Sequence, residues 1–453
     1  MRYPHSMIFT TLTISILFLS TAHAQEDWPK YRRDYFNTGH SAETGTLPNG
    51  VTTVNSKNIS SLALKWSQAL GGLITGSPAI VKGSVYVATW GGAIYKLDAV
   101  SGVILAHRQL VPTSICTSSN HNCRIAGSPM VAGVIVYIGA NNILYALKAS
   151  DLSIAWSTPI SSQAGAEIWS SPVEFNGLVY LGIASHADAP CVKGAVYAVN
   201  TVTHKIQWVF NTLDETSCPS GTNCVGAAVW SSAAIDTMND IVFFGTGNPG
   251  SNCHPSTPNA TRYPDSIIAL KGSPPTLTNF QAIANDIHDL DFGSTPVLTN
   301  TATQKWVAEA SKDGTVYFVP RGSAGILSGT LSIHIGGNLI ASPAVQAGGS
   351  NNLYQPTGGG NVIKITQSST GSLSEPAHTF VSSSSLFSAP LIVNDVALFG
   401  SDDFKLHAAT LAGSLIWSFP TNGKVDSGPA ESNGRIYFGS NDGNLYALSV
   451  GAK

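Results

Sequence analysis

The chain has 453 residues and a net charge of −3 from 23 basic and 26 acidic side chains, and only 11% of its residues are charged, against ~25% in typical soluble domains. So few charges, with the two signs in balance, exclude the concentrated basic face by which proteins bind nucleic acids. No stretch after the N-terminus has the length and apolarity of a membrane-spanning helix.

The N-terminus predicts a secretory signal over residues 1–24. Arg2 precedes an apolar stretch from Met7 to Leu19, and Ala22-His23-Ala24 comes just before Gln25. This order of a basic residue, a short apolar segment and small residues is typical of a cleaved signal peptide. We therefore expect a periplasmic or secreted protein in which residues 25–453 form a single domain.

A repeated phrase then returns eight times, and it predicts the architecture. Each copy opens with a small residue, usually followed by proline, and continues into short apolar strands separated by glycine-bearing turns. The second residues of the opening pairs are 39 to 63 positions apart, which is typical of four-stranded propeller blades. The eight openings are Ser77-Pro78, Ser128-Pro129, Ser171-Pro172, Ser232-Ala233, Thr295-Pro296, Ser342-Pro343, Ala389-Pro390 and Gly428-Pro429.

The two ends of the chain complement each other. The last copy contains only three strands before the chain ends, whereas a spare strand, Leu62 to Ser67, precedes the first copy. Pairing these segments would close the ring and remove its exposed sheet edges. The sequence therefore predicts an all-β, eight-bladed propeller of four-stranded antiparallel blades, with the N-terminal strand completing the last blade.

Six cysteines are present, an even number that fits disulfide bonds in an oxidising compartment. The short spacings within Cys116/Cys123 and Cys218/Cys224 favour two local bridges, which would leave Cys191 with Cys253. This pairing is one of 15 that six cysteines allow. A zinc site is less favoured because no C-x₂-C pair occurs.

Insertions in the third, fourth and fifth copies bring extra polar residues. Asp188, Asn248 and Asp291 lie in or beside these insertions. Loops that enter the innermost strands of a propeller converge near its axis, where such oxygen donors could hold a hard cation such as Ca²⁺. The alternative is that each of them lies in a solvated loop held by cystines.

Two segments of the fourth and fifth copies carry a resemblance to a known family. The run from Trp230 to Asp236, followed by Phe243 to Pro249, resembles the signature of quinoprotein alcohol dehydrogenases, and His288 to Pro296 and Ser311 to Tyr317 extend the match. These proteins are eight-bladed propellers that bind pyrroloquinoline quinone (PQQ). The likeness covers nearly all of the chain after residue 24 and is nearest to the polyvinyl-alcohol dehydrogenase-like branch.

The resemblance implies a Ca²⁺ ion and a quinone on the propeller axis. In the family a Glu, an Asn and sometimes an Asp hold the metal. By motif position, Asn248 resembles the asparagine and Asp291 resembles the catalytic aspartate, which would act as general base and also approach the metal. The glutamate falls in the loop of Asp188, where this chain has no glutamate, so Asp188 would be the ligand there.

The resemblance also implies three contacts to the quinone. Trp230 resembles the stacking tryptophan, Lys312 the basic residue at the quinone oxygens, and Arg124 a contact to a quinone carboxylate. The adjacent Cys-Cys pair of the alcohol dehydrogenases does not occur in this sequence.

These observations support two hypotheses. The first is an exported quinone-dependent dehydrogenase that oxidises a small or polymeric alcohol and passes electrons to a separate acceptor such as a cytochrome c. The second is a cofactor-free propeller that serves as a scaffold for protein interaction or envelope assembly. The two hypotheses differ in whether the axial residues form a working site.

Overall fold

The repeats fold into eight antiparallel sheets arranged as the blades of a propeller, as predicted. The computed structural model describes residues 27–115, 124–185, 192–213, 226–248, 263–282, 288–346, 351–374 and 377–451. In each blade the chain meanders outward from an innermost strand at the axis. Within these ranges, two single-turn 3-10 helices, Ile59–Ser61 and Thr113–Ile115, occur in the connections.

Blades 1 to 4 each contain four strands in sequence order. They comprise, in blade 1, β2 Ala79–Val81, β3 Ser84–Ala88, β4 Ala93–Asp98 and β5 Ile104–Gln109; in blade 2, β6 Met130–Ala132, β7 Ile135–Ala140, β8 Ile143–Lys148 and β9 Ile154–Pro159; in blade 3, β10 Val173–Phe175, β11 Leu178–Ile183, β12 Ala195–Asn200 and β13 Ile206–Asn211; in blade 4, β14 Ala234–Asp236, β15 Ile241–Gly245, β16 Ser266–Lys271 and β17 Thr276–Gln281.

Blades 5 to 8 follow the same plan, except that blade 5 carries one additional short strand and blade 8 takes its outermost strand from the N-terminus. They comprise, in blade 5, β18 Val297–Asn300, β19 Lys305–Ala310, β20 Thr315–Gly322, β21 Gly325–Ile326 and β22 Leu331–His334; in blade 6, β23 Ala344–Gln346, β24 Asn351–Pro356, β25 Asn361–Gln367 and β26 Ala377–Phe380; in blade 7, β27 Leu391–Val393, β28 Val396–Ser401, β29 Lys405–Thr410 and β30 Leu415–Pro420; in blade 8, β31 Ala430–Ser432, β32 Arg435–Gly439, β33 Asn444–Val450 and β1 Leu62–Ala69.

The predicted closure of the ring is confirmed by the pairing of β1 with β33. Their antiparallel register runs from Leu62 opposite Val450 to Ala69 opposite Asn444. Trp66 on β1 donates its indole N–H to the carbonyl of Ala99 at 3.2 Å, which ties the closing strand to blade 1. The first and last strands of the ring are therefore held by each other and by the neighbouring blade.

Burial across each blade falls from the axis to the rim. All six residues of β28, the second strand of blade 7, are buried, because both of its faces pack against neighbouring blades. The outermost strand of the same blade, β30, is only partly covered, with no fully buried residue. The core is thus a series of apolar layers between blades, and the polar residues of inner strands stand out as exceptions.

A chain of hydroxyl groups links the innermost ends of six successive blades. The backbone N–H that opens one blade donates to the side-chain hydroxyl at the same position of the next blade, at 2.8 to 3.1 Å, five times in succession. We call this set the hydroxyl ring; its members are Ser77, Ser128, Ser171, Ser232, Thr295 and Ser342. Ala389 and Gly428 occupy the position in blades 7 and 8, where the hydroxyl groups of Ser388 and Ser427 bridge blades instead.

Residues 28–41, which we call the N-terminal plug, cross one end of the propeller axis. Backbone hydrogen bonds join the plug to the innermost strands of blades 1, 2, 4, 5, 6 and 7. Side chains of the plug complete the set, because Tyr35 donates to the carbonyl of Glu174 in blade 3 and Ser41 donates to the carboxylate of Glu431 in blade 8. One short segment therefore contacts all eight blades.

Two buried cations stabilise the turns of the plug. Lys30 is 2% exposed and its ammonium donates to the carbonyls of Tyr31 and Asp34 and to the amide oxygen of Asn37. Arg32 donates to the carbonyls of Pro343 and Pro390 in blades 6 and 7. Within the ranges described above, no helix has the length and apolar character needed to cross a membrane.

Candidate functional site

Two neighbouring hollows lie at the inner ends of the blades, and the lower of the two touches the N-terminal plug. The lower one, the axial chamber, has a volume of about 170 Å³ and is lined by the hydroxyl ring, with Tyr31 of the plug among its walls. The upper one, the upper pocket, has a volume of about 220 Å³. Trp169 and Trp230 line both. The upper pocket is formed by Trp169, Ala184, Ser185, Ala228, Trp230, Asn248, Asp289, Asp291 and Lys312.

Four residues named from the sequence therefore share one hollow: Trp230, Asn248, Asp291 and Lys312. The ammonium nitrogen of Lys312 lies 2.8 Å from Asp291 Oδ1 and 2.7 Å from Asp289 Oδ1. It also lies 5.4 Å from the ring centroid of Trp230, within the range of a cation–π contact. One cation thus connects the aromatic wall of the upper pocket with its two carboxylates.

The charge of Lys312 is stabilised by these neighbours. Burial of the side chain by itself would lower the pKa of Lys312, but the carboxylates of Asp291 and Asp289 outweigh burial and raise it above its ordinary value of 10.5. Lys312 therefore stays protonated at neutral pH and provides a charge-assisted partner for Asp291, whose side chain is only 3% exposed.

Local backbone contacts place Asp291 and Lys312 side by side. The backbone N–H of Lys312 donates to the carbonyl of Asp291 at 2.8 Å, and the hydroxyl group of Ser311 donates to the carbonyl of Leu290. Asp289 has φ of 61°, in the left-handed region that aspartate tolerates better than most residues. This turn directs Asp289 and Asp291 towards the same ammonium group.

Asn248 is positioned by a second pair of segments in blade 4. The backbone N–H of Ala227 donates to the carbonyl of Asn248 at 2.7 Å, and that of Gly247 donates to the carbonyl of Ala228 at 2.8 Å. Ala227 has φ of 47°, an uncommon value for alanine, and such outliers concentrate at functional sites. A Cβ at Gly247 would lie 3.1 Å from Asp291 Oδ2, so the absence of a side chain there lets the carboxylate approach this segment.

Arg124 lies beside the upper pocket and does not form its wall. Its guanidinium carbon is 5.0 Å from the ring centroids of both Trp90 and Trp169, and its Nε is 3.8 Å from a carboxylate oxygen of Glu167. Trp169 donates its indole N–H to the same oxygen of Glu167 at 2.9 Å. Arg124 therefore packs against the ring of Trp169 outside the upper pocket. The contact between Arg124 and a quinone carboxylate stays a prediction.

Some predictions fall outside the described residues. Asp188 does so, and so do all six cysteines and residues 1–24. The metal-ligand role of Asp188, the disulfide pairing and the signal peptide accordingly stay predictions.

Sequence reasoning missed two residues of this region. Trp169 occupies in blade 3 the position that Trp230 occupies in blade 4, so alignment of Trp169-Ser170-Ser171 with Trp230-Ser231-Ser232 would have identified it. The other is Glu309, an acid within the inner strand β19. The sequence signal for it was a charged residue between two alanines in an apolar run. Burial, followed by the nearby charge of Asp291, raises the pKa of Glu309 well above its ordinary value.

The upper pocket suits a flat, polar, anionic or carbonyl-bearing ligand and a hard cation. Trp230 offers an aromatic face and Lys312 a hydrogen-bond donor for a ligand oxygen. Asn248 and Asp291 offer the oxygen donors that Ca²⁺ prefers. Among the described residues, no three His, Cys, Asp or Glu side chains are grouped so that they could hold a metal ion by themselves, so any cation here would need the amide oxygen of Asn248 as well.

Comparison with known proteins places this geometry in context. A family model described as "PQQ: Glucose/ethanol/alcohol dehydrogenase, beta-propeller domain" matches residues 28–324. A polyvinylalcohol dehydrogenase of Pseudomonas sp. is 24% identical over 210 residues, which are 43% of this chain and 33% of that protein. The outer membrane protein assembly factor BamB of Yersinia pestis is 29% identical over 135 residues, which are 30% of this chain and 31% of that protein.

The fold also matches solved structures. A europium-containing methanol dehydrogenase superposes with a TM-score of 0.73 at 15% identity, over 94% of this chain and 98% of that one. At this identity the match shows a shared fold. The chain spans about a third of the length of the curated relatives named above.

Proposed function

The chain belongs to the PQQ-type glucose, ethanol and alcohol dehydrogenase propeller family, and from that premise we propose that it oxidises an alcohol with PQQ and a Ca²⁺ ion bound in the upper pocket. The observation that carries the proposal is the convergence of Trp230, Asn248, Asp291 and Lys312 on one hollow. These residues come from blades 4 and 5, so a packing role for each blade separately does not account for their meeting.

The residues of the upper pocket fit these groups. Trp230 would provide the stacking face for the flat quinone, and Lys312 would donate a hydrogen bond to a quinone oxygen. Asn248 and Asp291 would hold the cation, together with Asp188 as the sequence predicts. The chemistry that these groups would supply is a hydride acceptor, in the case of PQQ, and a Lewis acid, in the case of Ca²⁺.

Asp291 is the proposed general base. Its carboxylate would accept the hydroxyl proton of the alcohol, which is the proton that must leave as the carbon is oxidised. Lys312, whose ammonium nitrogen lies 2.8 Å from Asp291 Oδ1, would hold the carboxylate in position through this ion pair. The side chains of Lys312 and Asp291 are only 15% and 3% exposed, and the weaker dielectric screening of a buried ion pair strengthens it.

The substrate is proposed to be a small or polymeric alcohol, and the similarity to polyvinylalcohol dehydrogenase supports the polymeric alternative. Electrons would leave to a separate acceptor such as a cytochrome c. The predicted signal peptide supports a periplasmic or secreted location, where such acceptors operate.

Reconstitution tests the proposal directly. Purified protein freed of cofactor should gain thermal stability when PQQ and Ca²⁺ are added, because a ligand that binds only the native state raises apparent stability. The reconstituted protein should then reduce a dye with one or more alcohols. Absence of both the thermal shift and dye reduction at excess cofactor would reject the proposal and leave the scaffold hypothesis.

Replacing the proposed base provides the residue-level test. Asp291→Asn should lower kcat by roughly 10²- to 10⁴-fold, as expected for loss of a general base, while PQQ still binds. Asp98→Asn is the matched control, because it makes the same acid-to-amide change at a turn of blade 1. There Asp98 accepts a hydrogen bond from the backbone N–H of Ser101. Full activity of Asp291→Asn would remove Asp291 from the base role.

A further inference from the structure

A third cavity, which we call the inter-blade pocket, lies between blades 1 and 2. Its volume of about 530 Å³ exceeds those of the axial chamber and the upper pocket and falls within the ~300–1,000 Å³ typical of small-molecule sites. The turns β2–β3 and β6–β7 form part of its wall. Since strand direction alternates within a blade, these turns lie at the opposite end of the propeller from the connections that carry Asn248 and Lys312.

The wall of the inter-blade pocket is mainly apolar. Val81 of blade 1 and Val131 and Val134 of blade 2 line it, and Val134 is 75% exposed. Tyr86, which also lines the pocket, donates its hydroxyl group to the carbonyl of Ala149 at 2.9 Å and so joins the two blades beside it. A ligand with an apolar portion would cover valine surface that is otherwise in contact with water.

The charged residues that line the inter-blade pocket are three lysines, Lys82, Lys96 and Lys148. Within the described ranges, no carboxylate forms an ion pair with any of their ammonium groups. Two acids beside the pocket, Asp27 and Asp151, instead accept hydrogen bonds from backbone N–H groups of turns at 2.9 Å. The lining of the pocket is therefore positively charged.

Lys82 stands at a position where other blades use asparagine. Lys82 and Gly83 form the two-residue turn between β2 and β3, with φ of 49° and 73°. The equivalent turns of blades 3 and 8 are Asn176-Gly177 and Asn433-Gly434, and all four of these residues also have positive φ. Asparagine tolerates positive φ better than lysine does. Blade 1 thus lacks the favourable turn residue where a lysine lines the pocket.

We propose that the inter-blade pocket binds a small anionic amphiphile, namely a carboxylate with an unbranched apolar tail, as in a fatty acid. The tail would pack against the valine wall, and the carboxylate would pair with Lys82 and Lys148. An apolar wall does not suit an inorganic anion, and three lysines without a paired carboxylate do not suit an uncharged lipid. The site is separate from the upper pocket, and the inference does not depend on the proposed function.

Isothermal titration of the purified protein with decanoate, below the concentration at which micelles form, tests the proposal. Binding should tighten by about threefold for each methylene group added between octanoate and dodecanoate, because each one buries more apolar surface. Acetate has the charge without the tail, and decyltrimethylammonium has the tail with the opposite charge. Neither should bind measurably.

The lysines are tested by the double variant Lys82→Asn/Lys148→Gln, which should weaken decanoate binding by at least about threefold. Lys82→Asn alone should leave the melting temperature of the ligand-free protein unchanged or higher, because asparagine suits the turn. A lysine with a purely structural role would not show weaker binding together with retained stability. Lys205→Gln is the matched control, since it removes an exposed lysine of blade 3 and should keep wild-type affinity.

Val134→Glu should abolish decanoate binding, because it places a like charge in the wall of the pocket. Val202→Glu is its control, since it makes the same change at a valine of blade 3 that is 82% exposed. Absence of decanoate binding by the wild type would overturn the proposal. Unchanged affinity in Val134→Glu or in the double lysine variant would also overturn it, and so would equal binding of decyltrimethylammonium, which would indicate apolar contact without recognition of charge.

Discussion

Ser128 illustrates how one side chain of the hydroxyl ring connects three blades. Its hydroxyl group accepts from the backbone N–H of Ser77 at 2.8 Å, and its own N–H donates to the hydroxyl group of Ser171 at 2.9 Å. Ser128 is 2% exposed, so water cannot replace a lost partner. The position therefore requires a hydroxyl group as well as a small size.

We predict that Ser128→Ala lowers the free energy of unfolding by about 1–3 kcal/mol, because the N–H of Ser77 becomes a buried donor without an acceptor. Chemical denaturation measures the loss. Ser128→Thr is the matched control, since Thr295 performs the same role in blade 5. Equal losses in both variants would attribute the effect to packing and not to the hydroxyl group.

The sequence identified the site residues whose polar groups are not needed for the packing of a blade. Asn248, Asp291 and Lys312 are polar groups in or beside departures from the repeat, and the structure gathers them with Trp230. Trp169 was missed because tryptophan recurs through the blades as a packing residue. Their roles in cofactor and metal binding stay predictions, as does that of Arg124.

Glu309 could not be assigned from sequence for a different reason. Its position within β19 is an ordinary inner-strand position, and its contact with Gly245 depends on how blades 4 and 5 face each other. The contact with Gly245 joins residues 64 positions apart in sequence. Such a contact follows from the packing of neighbouring sheets, which periodicity predicts only in outline.

The N-terminal plug is the element that the repeat pattern did not predict. Residues 28–41 have no regular strand or helix, and their hydrogen bonds go to eight separate strands. The plug precedes the first of the eight repeat copies, so the repeat pattern carries no signal for it. The structure shows that Trp28 is 1% exposed and pairs with Ile80 of β2, so the segment belongs to the core.

Lys30 makes the stability contributed by the plug depend on pH. Burial lowers the pKa of Lys30 from 10.5 to about 7, although the charge of Asp34 acts in the opposite direction. Between these two values the unfolded chain binds a proton that the folded chain does not, so Lys30 makes the folded state more stable as pH rises from about 7 towards 10.5. Below pH 7 both states are protonated and this dependence ends.

Denaturation curves between pH 7 and pH 10 should therefore show a smaller increase of stability with pH in Lys30→Met than in the wild type. Lys82→Met is the control, because Lys82 is exposed and its charge is available to solvent in both states. The same pH slope in Lys30→Met and wild type would mean that Lys30 is charged in the folded protein at all these pH values.

At the scale of the whole molecule, the sequence predicted the architecture closely. Eight copies, four strands to a blade and closure by the N-terminal strand are all confirmed, because each follows from a pattern that is repeated or complementary along the chain. The closing strand shows the precision, because the strand predicted from Leu62 to Ser67 forms as Leu62–Ala69. The ends of strands shift since pairing partners, more than local sequence, decide where a strand stops.

Closure predicts a clear difference between two shortened chains. A chain that begins at Val54 loses the plug but keeps β1, and it should still melt in one cooperative transition at a lower temperature. A chain that begins at Leu70 also loses β1, which exposes the edge of β33 and should cause loss of cooperative folding and aggregation. Calorimetry and light scattering distinguish these outcomes, and equal melting of the two chains would contradict a structural role for closure.

The pairing of β1 with β33 also sets the timing of folding. Synthesis makes residues 62–69 long before residues 444–450, and the register between them cannot form until both exist. The plug has the same constraint, since it needs Ile392 of blade 7 and Glu431 of blade 8. A nascent chain with this topology therefore lacks the strand pairing that closes the ring until residues 444–450 have been synthesised.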